Sequence, residues 1–207
     1  YQSAGTNATD GVCTACGHGA TLTASTFGSI SVCSCAPGAF LNSSNMCENC
    51  PSGAFLNSSN MCENCPTGTF LNSSTTCEQC AAGKYQDNIA QQGCKLCPTG
   101  YWMSQPGLHF CLECFVLYYG NEVGLTWWNC SGLCADGYEG SSVGQTNQTC
   151  NNPCPKGKYG IDGSCISCPL STYGNEEGLT NSNCSGLCAA GYYYTPDSRI
   201  TVVAPTN

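Results

Sequence analysis

Apolar residues in this chain come singly, not in stripes. No window of the 207 residues carries the 3.6-residue apolar repeat of an amphipathic helix, so few helices are expected. Gly, Asn, Ser, Thr and Pro interrupt the chain every few residues, which is the punctuation of turn-rich β structure. An aromatic does recur. Phe40, Phe55, Phe70, Tyr85, Trp102, Tyr119, Tyr159, Tyr173 and Tyr193 each stand five residues after a cysteine, where packing on that cysteine's own repeat is expected; Glu139 breaks the series, with Tyr138 one place early. Around each aromatic the pattern predicts two short extended segments joined by a turn. A Cys-Pro-x-Gly step, as at Cys50-Pro51-Ser52-Gly53, begins the first segment. Asn-Ser-Ser marks the turn, since those side chains satisfy backbone groups locally. Ala20 to Val32 is rich in Thr, Ser, Ile and Val, and the β-branched run Arg199 to Ala204 reads as a strand.

The cysteines set the repeat. There are 22, in close pairs separated by spacers of 10 to 16 residues. Modules that short cannot bury a core of their own and must stack or be cross-linked. Gly38 to Cys50 and Gly53 to Cys65 read the same thirteen letters, GAFLNSSNMCENC, and Gly68 to Cys80 reads GTFLNSSTTCEQC. A longer class follows: Cys114 to Tyr138 matches Cys168 to Tyr192 at 17 of 25 positions, a period of 54 residues. The expected organisation is an N-terminal cap region (1–34), short-spacer repeats (35–114), long-spacer repeats (115–188) and a C-terminal tail with a strand (189–207).

Such a cysteine content belongs to extracellular, disulfide-stapled scaffolds, because the cytosol keeps thiols reduced. Sequons agree with that compartment. Asn-x-Ser/Thr occurs at Asn7, Asn42, Asn57, Asn72, Asn129, Asn147 and Asn183, three of them 15 residues apart in identical repeat positions. N-glycans are expected there, with Cys in the middle of the Asn129 and Asn183 sequons as a competing reaction. Beginning at Tyr1, the chain reads as a mature or trimmed product of a secretory precursor. The net charge is −8, and the five basic residues (Lys84, Lys95, Lys156, Lys158, Arg199) form no stripe, which argues against nucleic acid. No apolar run is long enough for a membrane span.

Candidate chemistry is thin. Cys-x2-Cys pairs flanking a spacer can hold zinc, but an oxidising compartment and a continuous ladder favour structural disulfides. A thioredoxin-type redox site needs one poised pair on a βαβ scaffold, which is absent here. His18 and His109 are isolated, so nucleophilic catalysis lacks a base. Glu48, Glu63 and Glu78 repeat beside cysteines and read as an exposed face; Glu176-Glu177 is the lone acidic doublet, and no calcium-loop pattern occurs. No catalytic residue, metal or cofactor is expected, and the chain is not expected to be an enzyme. Trp127-Trp128 stands where the copy has Asn181-Ser182. In an extended segment the two rings would point to opposite faces, one packed and one available to a partner or a glycan.

Modules of the form Cys-Pro-x-Gly-x-aromatic, a spacer, then Cys-x-x-Cys-Pro resemble the ephrin-receptor-like cysteine-rich repeats. The clearest copies are at Cys50-Pro51, Cys65-Pro66, Cys97-Pro98, Cys154-Pro155 and Cys168-Pro169, and the likeness covers residues 35–193. The Cys130/Cys134 and Cys184/Cys188 pairs depart from the pattern by one extra residue. The resemblance implies an elongated rod of small disulfide-rich β-hairpins, as in protist and algal cell-surface and mastigoneme-like glycoproteins. It also implies a register: Cys16–Cys33, Cys35–Cys47, Cys50–Cys62, Cys65–Cys77, Cys80–Cys94, Cys97–Cys111, Cys114–Cys130, Cys134–Cys150, Cys154–Cys165 and Cys168–Cys184. Cys13 and Cys188 are left over, one near each end, as candidates for an intermolecular bond. The tail strand could also dock on the N-terminal region of a neighbour. The function expected is a structural, self-associating subunit of a cell-surface filament or coat; a ligand-binding receptor or adhesin ectodomain is the alternative.

Overall fold

The computed structural model describes residues 21–23, 32–44, 46–73, 75–190, 192–194 and 200–202. Asn7, Cys13, Cys16 (with its expected bridge to Cys33) and His18 lie outside them. Among the described residues there is no helix. Strands of two to five residues pair, each with its neighbour in sequence, into two-stranded sheets. The fold is a small disulfide-rich β-hairpin repeat.

A module is most simply counted from the second cysteine of a pair, its opening cysteine. The carbonyl of the next residue accepts the amide of the residue three further on: Pro51 O from Ala54 N, Pro98 O from Tyr101 N, Pro169 O from Thr172 N. The third position of that turn has positive φ, +80° at Gly53 and Gly100 and +81° at Gly157. One positive φ there is the mark of a type II turn, and it is why Cys-x-x-Gly recurs. The strand that follows carries the aromatic. Ala54–Leu56 pairs with Cys62–Asn64, and Tyr101–Trp102 with Leu112–Glu113. The next opening cysteine then donates its amide back to the turn carbonyl: Cys65 to Gly53, Cys114 to Gly100, Cys154 to Gly137.

A disulfide closes each module over the same path. Nine are present among the described residues: Cys35–Cys47, Cys50–Cys62, Cys65–Cys77, Cys80–Cys94, Cys97–Cys111, Cys114–Cys130, Cys134–Cys150, Cys154–Cys165 and Cys168–Cys184. Each closes a short loop, which in the chain-entropy model is worth about 3 kcal/mol for some 15 residues. The opening cysteines are also the core. Cys65, Cys80, Cys97, Cys114 and Cys154 are fully buried, whereas the closing cysteines are mostly half-buried. Sulfur takes the interior place that Leu and Val hold in larger domains.

Two compact units are distinguishable. In the first (Tyr1–Cys80, Tyr85–Lys95, Gly107–His109), successive modules are joined by backbone hydrogen bonds: Gly68 N to Gln86 O, Leu71 N to Gln91 O, Ala90 N to Cys65 O and Gly107 N to Cys80 O. In the second (Ala81–Lys84, Leu96–Pro106, Phe110–Asn207), bonds of the same kind occur: Gly83 N to Met103 O, Gly100 N to Gly120 O, Leu117 N to Gly140 O, Gly137 N to Gly160 O and Gly157 N to Gly174 O. Parallel bridges accompany them at Trp102 with Leu125, Tyr119 with Gln145 and Tyr159 with Leu179.

The turn glycine is constrained twice. A Cβ at Gly68 would lie 2.1 Å from the carbonyl oxygen of Gly107, and one at Gly100 would lie 2.4 Å from that of Gly144. In both cases the facing loop belongs to the module two places on. Leu117 and Ser171 occupy the same turn position at φ +73°. Two modules beyond Leu117 lies the Cys154 module, whose spacer is the shortest; it turns tightly through Asp162-Gly163 at φ 50° and 74°. Here Gly163 is the small partner, its would-be Cβ 3.2 Å from the Leu117 carbonyl. The contact survives with the glycine moved to its other side.

The C-terminal strand, Ile200–Val202, pairs with Tyr192–Tyr194 of its own chain, and Thr21–Thr23 pairs with Val32–Ser34. One expectation changes: the Trp127-Trp128 step is a turn rather than a strand.

Gly100→Ala should therefore lower the unfolding midpoint of the oxidised protein, with backbone strain alone costing about 1–3 kcal/mol. Gly93→Ala is the control, since no atom lies within 4 Å of its would-be Cβ. Equal midpoints for the two variants in denaturant titrations would refute this reading of the turn.

Candidate functional site

The titratable side chains are dispersed. Glu48, Glu63 and Glu78 are exposed, standing across their hairpins from Phe40, Phe55 and Phe70. Glu176, Glu177 and His109 are exposed as well. Among the described residues no three His, Cys, Asp or Glu side chains converge on a metal-sized site. Two polar pairs escaped sequence reasoning. Lys95 Nζ donates to Asp87 Oδ1 at 2.5 Å and lies 5.8 Å from the centre of the Tyr85 ring. That hydrogen bond holds the Asp87 carboxyl below its ordinary value and raises Lys95. Both side chains are 46% exposed, too wet for the pair to add much stability. Tyr101 donates its hydroxyl to Glu113 Oε1 at 3.2 Å, across the strand pair, and the bond raises the Tyr101 pKa.

The sequons sit in four different local settings. Asn42 Oδ1 accepts the amides of Ser44 and Met46 at 3.0 and 3.1 Å, and Asn57 Oδ1 those of Ser59 and Met61 at the same distances. Both are side-chain-closed turns of the kind that Asn favours. Asn57 also donates its side-chain amide to Glu63. Asn72 has the same sequence neighbours but lies exposed in the strand Thr69–Ser73, beside a register shift between Leu71 and Ser73. Asn147 Oδ1 accepts from both the amide and the hydroxyl of Thr149. In the long-spacer copies the sequon hydroxyl already has a structural partner. Ser131 Oγ accepts the Asn121 amide and Ser185 Oγ the Asn175 amide, both at 3.1 Å. The signal for this was the Tyr-Gly-Asn-Glu run common to both copies.

The aromatics are partly packed. Trp102 is 9% exposed, its ring 6.2 Å from Phe115, with its buried Nε1 unbonded. Trp128 lies edge-on to Tyr118 at 5.4 Å, while Trp127 is 70% exposed. Cys188 is half-buried and carries no disulfide.

Residues 68–108 match the family model described as tyrosine-protein kinase ephrin type A/B receptor-like. The chain is a cysteine-rich repeat protein. No curated protein matches it. The matched segment contains the whole Cys80–Cys94 loop and the interleaved ladder around it. Disulfides at every described repeat, together with a family of extracellular domains, make this an extracellular receptor-like or structural module. No helix among the described residues is long and apolar enough to cross a membrane.

Tyr101 offers a direct check of the polar geometry. Its neutral hydroxyl makes the bond to Glu113, so the folded pKa lies above the unfolded one. The contribution to stability is complete below the unfolded value and is lost as pH rises through the folded value. Site-resolved NMR titration should show Tyr101 ionising above the ordinary tyrosine range, with Glu113→Ala bringing it down. An unchanged titration in that variant would show that the bond does not form in solution.

Proposed function

We propose that the protein is a structural, non-catalytic glycoprotein subunit of a cell-surface filament or coat, of the mastigoneme-like kind. The observation that supports this reading is the backbone ladder. From the Cys65 module to the Cys154 module the turn amide is spent on the next module, and in most of them the opening-cysteine carbonyl is as well, so the stacking of these modules depends little on side-chain identity. A chain built this way is a scaffold, with side chains and glycans displayed from its hairpins. The sequons at Asn42, Asn57, Asn72, Asn129, Asn147 and Asn183 are the attachment points, and Asn7 is a further one in the N-terminal region.

Self-association would use the ends. Among the described residues Cys188 carries no disulfide, and Cys13 is the cysteine that the register implied by the resemblance leaves over. A Cys188–Cys13 bond between copies is a heterologous contact, which propagates instead of closing. Purified secreted protein should appear as fibres or sheets in electron micrographs without added ligand. On non-reducing gels it should run as multimers that collapse on reduction. Dispersed monomers with Cys13 and Cys188 unlinked between chains would overturn the assembly part. Unmodified Asn at every sequon in peptide maps of the secreted protein would overturn the glycoprotein part.

A further inference from the structure

The most exposed aromatic ring among the described residues, Trp127, stands two residues before a sequon asparagine. The amide of Cys130 donates to the carbonyl of Trp127 at 3.0 Å, closing a four-residue turn, and Cys130 follows in the left-handed region at φ +49°. The turn therefore holds Trp127, Trp128, Asn129 and Cys130 in one tight reversal, with Ser131 fixed just beyond by the Asn121 amide. Trp128 is committed to Tyr118, but Trp127 is left 70% exposed. Asn129 is exposed, and its side-chain amide makes no hydrogen bond among the described residues. The copy has the same backbone: Cys184 N donates to Asn181 O at 3.1 Å, with φ +51° at Cys184. Its turn carries Asn181 and Ser182 in place of the two tryptophans.

We propose that Trp127 is a stacking platform for the first N-acetylglucosamine of a glycan on Asn129. This rests on the glycoprotein reading above. An N-acetylglucosamine ring presents one face of axial C–H groups, which is apolar and slightly positive, and it packs on the negative face of an indole. The turn keeps ring and attachment point within the span of a single sugar. Stacking covers the most exposed tryptophan of the chain and limits the rotamers of the Asn129 linkage. Among the described residues that ring is left 70% exposed, and an uncovered ring is a site of unwanted association.

The covalent step has a fixed order. The Asn129 amide nitrogen displaces the diphosphate from C1 of a lipid-diphosphate-linked oligosaccharide. The C1–O bond breaks with its electron pair on the leaving diphosphate, the Nδ2–C1 bond forms, and an amide proton passes to the transferase's base. In the folded chain Cys130 is tied to Cys114 and the Ser131 hydroxyl to Asn121. Transfer therefore precedes closure of this module, and Trp127 engages the sugar as the turn forms.

The test is a double-mutant cycle on protein secreted from eukaryotic cells: wild type, Trp127→Ser, Asn129→Gln and both. Peptide mapping should find Asn129 modified. Trp127→Ser should lower the thermal midpoint of the glycosylated form and have little effect in the Asn129→Gln background. The gain-of-function variant Asn181→Trp should raise the midpoint only when Asn183 is glycosylated. Equal shifts from Trp127→Ser in both backgrounds would overturn the proposal. So would an unmodified Asn129 in wild type beside a modified Asn42 or Asn57. Absence of glycan at all sequons would fell the glycoprotein reading and this proposal together. Loss of assembly in Trp127→Ser regardless of Asn129 would assign the ring to contact between copies, and would overturn the proposal too.

Discussion

The left-handed residue three places after each opening cysteine is the constraint on which the rest of the fold depends. Its positive φ reverses the chain immediately after the disulfide. Its carbonyl then receives the next opening cysteine, as Gly100 receives Cys114, and from the Cys65 module to the Cys154 module its amide reaches forward to the next module, as Gly100 reaches Gly120. One residue thus closes its own module and joins it to the following one. A backbone hydrogen bond is worth only about 1 kcal/mol net, but here it is repeated at every module beside a disulfide. Cross-link and ladder together replace the apolar core that modules of this size cannot build.

The spacer classes follow from which positions the ladder uses. The turn residue, the residue after the aromatic and the loop that touches the preceding cysteine carbonyl keep a constant distance from the opening cysteine: Gly107 follows Cys97 as Gly124 follows Cys114. Beyond that loop the chain is free until the closing cysteine. Extra residues accumulate there, as Trp127, Trp128 and Asn129 do before Cys130. The sixth position also changes along the chain. It is Leu41, Leu56, Leu71, Gln86 and Met103 in the earlier modules and Gly120, Gly140, Gly160 and Gly174 later. A Cβ at Gly120 or Gly140 would lie within 3 Å of the module's own opening sulfur. The later modules therefore pack backbone against disulfide where the earlier ones pack a side chain.

Much of the fold class was legible, because cysteine pairs, Cys-Pro-x-Gly turns and the recurrent aromatic are all local signals. The stacking rule was not. Gly68 meets Gly107, and Gly137 meets Gly178, across roughly forty residues; a turn glycine reads the same whether it is needed for φ alone or also for space. Leu117 shows the limit most clearly. As a sequence it is only a missing glycine, and the explanation lies in the short Asp162-Gly163 turn two modules away. The Trp127-Trp128 step misled for a related reason. Adjacent aromatics suit a strand, but the residue that decides the turn is Cys130, and cysteine gives no hint of a left-handed φ. At the sequons the letters were identical and the settings were not: Asn57 closes a turn while Asn72 lies in a strand, because Thr75-Thr76 replaces the Asn60-Met61 that completes the loop in the earlier repeat.

A scaffold held by backbone and sulfur separates what builds the repeat from what it displays. Cys130 and Cys184 have the same turn, the same hydroxyl lock and nearly the same φ, although one turn carries two tryptophans and the other Asn-Ser. The surface chemistry changed and the backbone did not. Among the described residues the ladder spends many inward positions on sulfur, glycine and backbone, and most charged groups stand exposed. Variation in such a chain alters the exposed surface, module by module, without touching the bonds that hold the modules together.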